Sequence, residues 1–135
     1  MFERNLEKDL KIWKDSQIRK VLILRGARQV GKTSLCIEFG SELFDELIEI
    51  NLESPEQRKW FEGVSSIADF AKRVELYLAK TLIDGKSLLF IDEVQESSEI
   101  MNLLRFFAEE RPQLHVIVAG SLLEARINQD WSVPV

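Results

Sequence analysis

Residues 26–33, Gly26-Ala27-Arg28-Gln29-Val30-Gly31-Lys32-Thr33, place two framing glycines ahead of a lysine and a hydroxyl residue. An apolar run, Val21-Leu22-Ile23-Leu24, comes before them, and Ser34-Leu35-Cys36-Ile37-Glu38-Phe39, which can be helical, comes after. G-x-x-x-x-G-K-[ST] between a strand and a helix is the pattern of a phosphate-binding loop. Few arrangements constrain a chain more, because strand, loop and helix must all follow in that order.

The residue types suit the chemistry. A nucleotide's phosphates carry several negative charges that must be held without losing hydrogen bonds. A loop wrapped around them offers successive backbone N–H groups, and the following helix adds the partial positive charge of its N-terminus. Gly26 and Gly31 allow the main chain to approach where a Cβ would collide. Lys32 can reach the β- and γ-phosphate oxygens, and the Thr33 hydroxyl can ligate Mg²⁺. Ala27, Arg28, Gln29, Val30 and Ser34 complete the expected binding segment. Arg28 is placed either to touch phosphate or to face solvent.

Ser87-Leu88-Leu89-Phe90-Ile91 is a nearly continuous apolar run of strand length that ends in Asp92-Glu93. Such a run suits a central parallel strand covered on both faces. One acid at its end serves the metal, Asp92 holding Mg²⁺ through a bound water. A second acid is not needed for binding, and its most economical role is to orient and polarise the water that attacks the γ-phosphate. Glu93 thus favours hydrolysis over transfer to another acceptor. The plainer reading is two solvated acids at a strand end, which the loop some sixty residues earlier makes less economical. Ser121, past the strand Leu114–Ala119, either bonds the γ-phosphate or attacking water or caps a helix over Leu122–Arg126. Gln95 either reads the same state or is a surface loop residue.

The rest of the chain alternates. Phe2, Leu6, Leu10 and Trp13 form the narrow apolar stripe of an amphipathic helix, read as core packing. Strands are expected over about 19–25, 47–52, 87–91 and 114–119, and helices over about 32–43, from Ser66 to about Leu82, and from Ser97 or Ser98 toward Pro112. Glu56 to Gly63 is a short helix or loop. Ile67, Phe70, Ala71, Val74 and Leu78 line one face of the helix from Ser66, and Ile100, Leu103, Leu104 and Phe107 line one face of the helix from Ser97 or Ser98. This alternation means a parallel sheet with helices on both sides and ligands at the strands' carboxyl ends.

No apolar run approaches a membrane span, and the charged N-terminus lacks a secretory signal. Cys36 stands alone, which excludes a disulfide framework and a cysteine metal site; it is expected to be a buried small residue. His115, the one histidine, has no partner of metal-binding type in sequence and reads as a strand-end residue. These features point to the cytoplasm. The net charge of −5 conceals an asymmetry: residues 1–34 carry nine Lys/Arg against four Asp/Glu, and residues 35–135 carry nine against nineteen. Steering of nucleotide toward a phosphate site explains the basic part, and a nucleic-acid surface is the rival explanation.

GARQVGKT, LLFIDEVQ and LHVIVAGSLLE, in that order, resemble the N-terminal domain of a large group of prokaryotic AAA-type ATPases, in which a P-loop domain precedes a C-terminal domain of unknown function. The resemblance covers essentially residues 1–135 as one domain. It implies an α/β P-loop NTPase three-layer sandwich with strands ordered 1-4-3-2. It maps Gly26 to Thr33 onto Walker A, Asp92 and Glu93 onto Walker B, and Ser121 onto the sensor-1 position, giving Glu93, Lys32 and Ser121 as catalytic residues. ATP and Mg²⁺ are the implied cofactors, and ATP is preferred over GTP on this ground alone. Such domains usually add a fifth strand beside the first, a helical lid and a neighbour's arginine finger. With Val135 so close behind Ser121, the fifth strand and lid are expected to be missing, the first strand to be an exposed edge, and the chain to be an N-terminal fragment of a longer protein. Trp131–Val135 is read as a loop.

The function implied is a Mg²⁺-dependent ATPase whose turnover drives a conformational change in a larger protein. The alternatives are a nucleotide-gated switch or adaptor with little turnover and, further off, a nucleic-acid-stimulated motor. The missing C-terminal domain, a second copy or another protein is the expected partner, without a membrane.

Overall fold

The computed structural model describes residues 2–16, 21–24, 30–120 and 132–134, with side-chain surroundings described for 8–16, 21–24 and 33–120. Helix α1 (Phe2–Asp15) is followed by strand β1 (Val21–Leu24), helix α2 (Val30–Leu43), strand β2 (Glu46–Asn51), and helices α3 (Pro55–Trp60) and α4 (Ile67–Leu78). Strand β3 (Ser87–Asp92), a 3-10 turn at Val94–Glu96, helix α5 (Ser98–Glu110), strand β4 (His115–Ala119) and strand β5 (Ser132–Pro134) complete it.

All strand pairs are parallel, in the order β2-β3-β4-β1-β5. The first four strands therefore lie as 1-4-3-2, as expected. The fifth strand is a correction: Ser132–Pro134 pairs with β1, aligning Val21 with Ser132 and Ile23 with Pro134, so β1 is not an edge. Proline argues against a strand because it lacks the N–H of the ladder, but an outermost strand tolerates it. The edges are β2 and β5.

Successive residues of a strand face opposite sides, and the core divides accordingly. Val21, Ile23, Leu89, Ile91, Val116 and Val118 pack with Phe61, Phe70, Val74, Leu104 and Phe107 from the α3–α5 side. Leu22, Leu24, Leu88, Phe90 and Ile117 pack with Leu10 and Trp13 of α1, Cys36 and Phe39 of α2, and Phe44 just after it. Three layers result. Cys36 is buried, as expected.

Local chemistry sets the element ends. The Ser54, Ser66 and Ser97 hydroxyls accept from the N–H groups of Gln57, Asp69 and Ile100, capping α3, α4 and α5. Pro55 at the start of α3 has no N–H to leave unpaired there. α4 stops at Leu78, short of the expected Leu82, because Ala79 turns left-handed (φ 57°) and its N–H closes on the Glu75 carbonyl. That stop brings Lys80 to the sheet margin, where its Nζ donates to the Leu47 carbonyl at 2.9 Å. His115 is buried at the start of β4, edge-on to Trp13 and Phe44. Its Nε2 lies 3.0 Å from the Lys14 carbonyl, which can only accept, so the proton sits on Nε2 and ties α1 to the sheet. It is a strand-end residue, as the sequence suggests.

Candidate functional site

Strand register levels the strand ends that border the sequence motifs. Leu24 pairs with Ala119, Ile91 pairs with Val118, and Asn51 pairs with Asp92. The carboxyl ends of β1, β4, β3 and β2 are therefore level. The chain leaves Leu24 into the loop motif, while Asp92 ends the strand on the far side of β4. Two strand spacings, about 10 Å, separate them.

Gly26, Ala27, Arg28 and Gln29 lie outside the described residues, as does Ser121, which follows Gly120 just beyond β4. α2 starts at Val30, two residues before the sequence suggests, so the backbones of Val30, Gly31, Lys32 and Thr33 form its first turn. The N–H groups of a first helical turn have no partner within the helix and suit an anion. Thr33 is half-buried and Ser34 exposed.

The acidic pair is not two solvated side chains. Asp92 is half-buried, and its Oδ1 accepts the Glu93 N–H at 2.9 Å. Glu93 is 6% exposed and adopts a left-handed backbone, φ 52° and ψ 48°. That conformation costs an L-residue about 1–2 kcal/mol and is kept only where surrounding bonds determine it. Here they do: the Glu96 N–H closes on the Glu93 carbonyl and the Ser97 N–H on that of Val94. The turn so formed folds Gln95 back, and its Nε2 donates to Glu93 Oε1 at 2.6 Å. Gln95 is buried, which corrects its reading as a surface loop residue.

The neighbouring loop is stitched to this one. The Leu52 N–H donates to the Asp92 carbonyl at 3.0 Å, and the Asn51 N–H to Gln57 Oε1 at 2.8 Å. Arg58 donates to the carbonyls of Leu52 and Glu53, with Glu96 at 4.0 Å. Sequence reasoning missed Asn51 and Arg58 as parts of this rim. Asn51 at the end of an expected strand was the only available signal.

The sheet order and the helices on both faces make this a P-loop NTPase-type α/β fold. Within that class the chain belongs to the AAA domain family, which residues 18–130 match. It is an ATPase-type nucleotide-binding domain. Among solved structures it is similar to RuvB of Thermotoga maritima. A T158V form gives 18% identity over 98% of this chain and 44% of that one, with a TM-score of 0.59. A second, described as the RuvB Holliday junction branch migration motor, gives 17% identity over 98% and 44%, with a TM-score of 0.56. PCH-2 of C. elegans gives 19% identity over 98% and 38%, with a TM-score of 0.50. The chain thus spans under half the length of these relatives. No curated protein matches it. Among the described residues, no helix is long and apolar enough to cross a membrane.

Proposed function

We propose that this domain binds ATP with Mg²⁺ and hydrolyses its β–γ bond, using the energy to change the conformation of a larger protein. The observation that carries the reading is the level rim: β1, which runs into the loop motif in sequence, and β3, which ends in the acids, finish two strands apart, a span a triphosphate can bridge.

In this reading the amides from Gly26 to Ser34 cradle the phosphates and Lys32 neutralises the β- and γ-oxygens. The Thr33 hydroxyl and Asp92 carboxylate are hard oxygen donors of the kind Mg²⁺ takes, and their chemistry fits that ion. Mg²⁺ held by these residues would supply charge neutralisation to the phosphates. Glu93 orients and polarises the attacking water, and Ser121, which follows β4 in the sequence, bonds the γ-phosphate. Burial of Glu93 behind a fixed turn favours this role, since a base must be held in place before it can direct a water.

The test is ATP binding and phosphate release measured on the full-length protein. Lys32→Ala abolishes binding; Glu93→Gln retains binding and loses turnover. Equal loss of binding in both variants overturns this division of roles.

A further inference from the structure

Gln95 is 7% exposed, and its Oε1 is buried with no hydrogen-bond partner among the described residues. The orientation of its amide is fixed by chemistry: a carboxylate only accepts, so the nitrogen must face Glu93 Oε1 and the oxygen must point elsewhere. A buried acceptor left unpaired beside a fixed carboxylate calls for a donor, and water is the usual one. Gln95 also sits on the turn that leaves β3, at the rim that carries Asp92.

We infer that Gln95 positions the hydrolytic water together with Glu93, an inference that rests on the ATPase reading above. Water has two O–H donors. One goes to the Glu93 carboxylate, whose lone pairs can accept it alongside the Gln95 amide. The other goes to Gln95 Oε1, which leaves an oxygen lone pair for the γ-phosphorus. In the reaction the water oxygen bonds to that phosphorus. The bond from phosphorus to the β–γ bridging oxygen breaks, and its electron pair leaves on ADP. One water proton passes to Glu93 and on to solvent, and the other stays on the product phosphate. Through its Nε2 the same side chain keeps Glu93 from turning away, so one residue holds both base and nucleophile.

The experiment uses the full-length protein and its Gln95→Met, Gln95→Asn, Glu93→Gln and Glu93→Gln/Gln95→Met variants. It measures phosphate release, the Kd of a fluorescent ATP analogue and thermal melting. Methionine has similar length without either polar end; asparagine keeps the amide but withdraws it by one methylene. Both lower kcat by about 100-fold with Kd within about twofold. The double variant is no slower than Glu93→Gln alone, because both residues act on one water. An unchanged or raised kcat in both Gln95 variants overturns the inference, as do losses that multiply in the double variant or a Kd that weakens in step with kcat. If Glu93→Gln turns over like the unmodified protein, the ATPase reading falls and takes this one with it. If Glu93→Gln is inactive while the Gln95 variants are not, only the role of Gln95 falls.

Discussion

A Cβ placed on Gly40 would stand 2.8 Å from Cδ2 of Leu88. Gly40 lies in α2, the helix whose first turn carries Lys32 and Thr33, and Leu88 lies in β3, the strand that ends in Asp92. The close approach therefore sets the spacing between the two elements that bear the proposed site. Gly40→Val is expected to destabilise the fold by about 1–3 kcal/mol, because Leu88 is fully buried and cannot swing aside. Gly40→Ala should cost less, since alanine regains about 1 kcal/mol of helix propensity. Urea unfolding of the two variants gives both numbers.

Asp92 has one observed duty, accepting the Glu93 N–H, and one proposed duty, holding the metal, and two substitutions part them. Asparagine keeps an oxygen to accept the Glu93 N–H but removes the charge proposed for the metal. Asp92→Asn should fold with undiminished stability and need about tenfold more Mg²⁺ for half-maximal ATP turnover. Asp92→Ala should show that defect and also lose about 1 kcal/mol, as the Glu93 N–H loses its partner. Titrating Mg²⁺ into EDTA-stripped protein at saturating ATP, alongside melting curves, checks both.

Ala79 holds a left-handed backbone at the end of α4 without being glycine. Ala79→Gly should stabilise the domain by about 0.5–1 kcal/mol, raising Tm by a few degrees. Calorimetry measures the shift. A lowered Tm would mean that the turn is held by more than its dihedral preference.

Removing the His115 ring should cost about 2–4 kcal/mol, since Trp13 and Phe44 lose an edge-on neighbour and the Lys14 carbonyl loses its donor. His115→Ala is thus expected to lower the urea midpoint while leaving the Mg²⁺ requirement of turnover unchanged. A change in that requirement would assign the ring to the metal instead of the α1 contact.

Period and punctuation made most of this architecture legible. Ile67, Phe70 and Val74, and Ile100, Leu103, Leu104 and Phe107, are buried as their helical spacing predicts, because that spacing leaves one face for the sheet. The caps at Ser66 and Ser97 were readable for the same local reason, whereas that at Ser54 was not. Ala79 was not: nothing in alanine announces a left-handed turn, and the contact that exploits it, Lys80 with the Leu47 carbonyl, spans distant parts of the chain. β5 was hidden by Pro134, which signals a break except on an outermost strand. At the candidate site, spacing pointed to the loop and the acids. It did not show that Glu93 turns left-handed and draws Gln95 inward, because that geometry comes from hydrogen bonds of a turn rather than from any residue preference.

The Lys80 ammonium on the Leu47 carbonyl has a consequence for behaviour in a crowded solution. β2 is one outer margin of the sheet, and an unprotected margin can recruit any extended peptide that drifts against it. To zip onto this side, an intruding chain would first have to evict a charged group and strand it near apolar surface. Replacing Lys80 with a short neutral residue would open that seam and let copies stack into concentration-dependent aggregates while each fold stays intact.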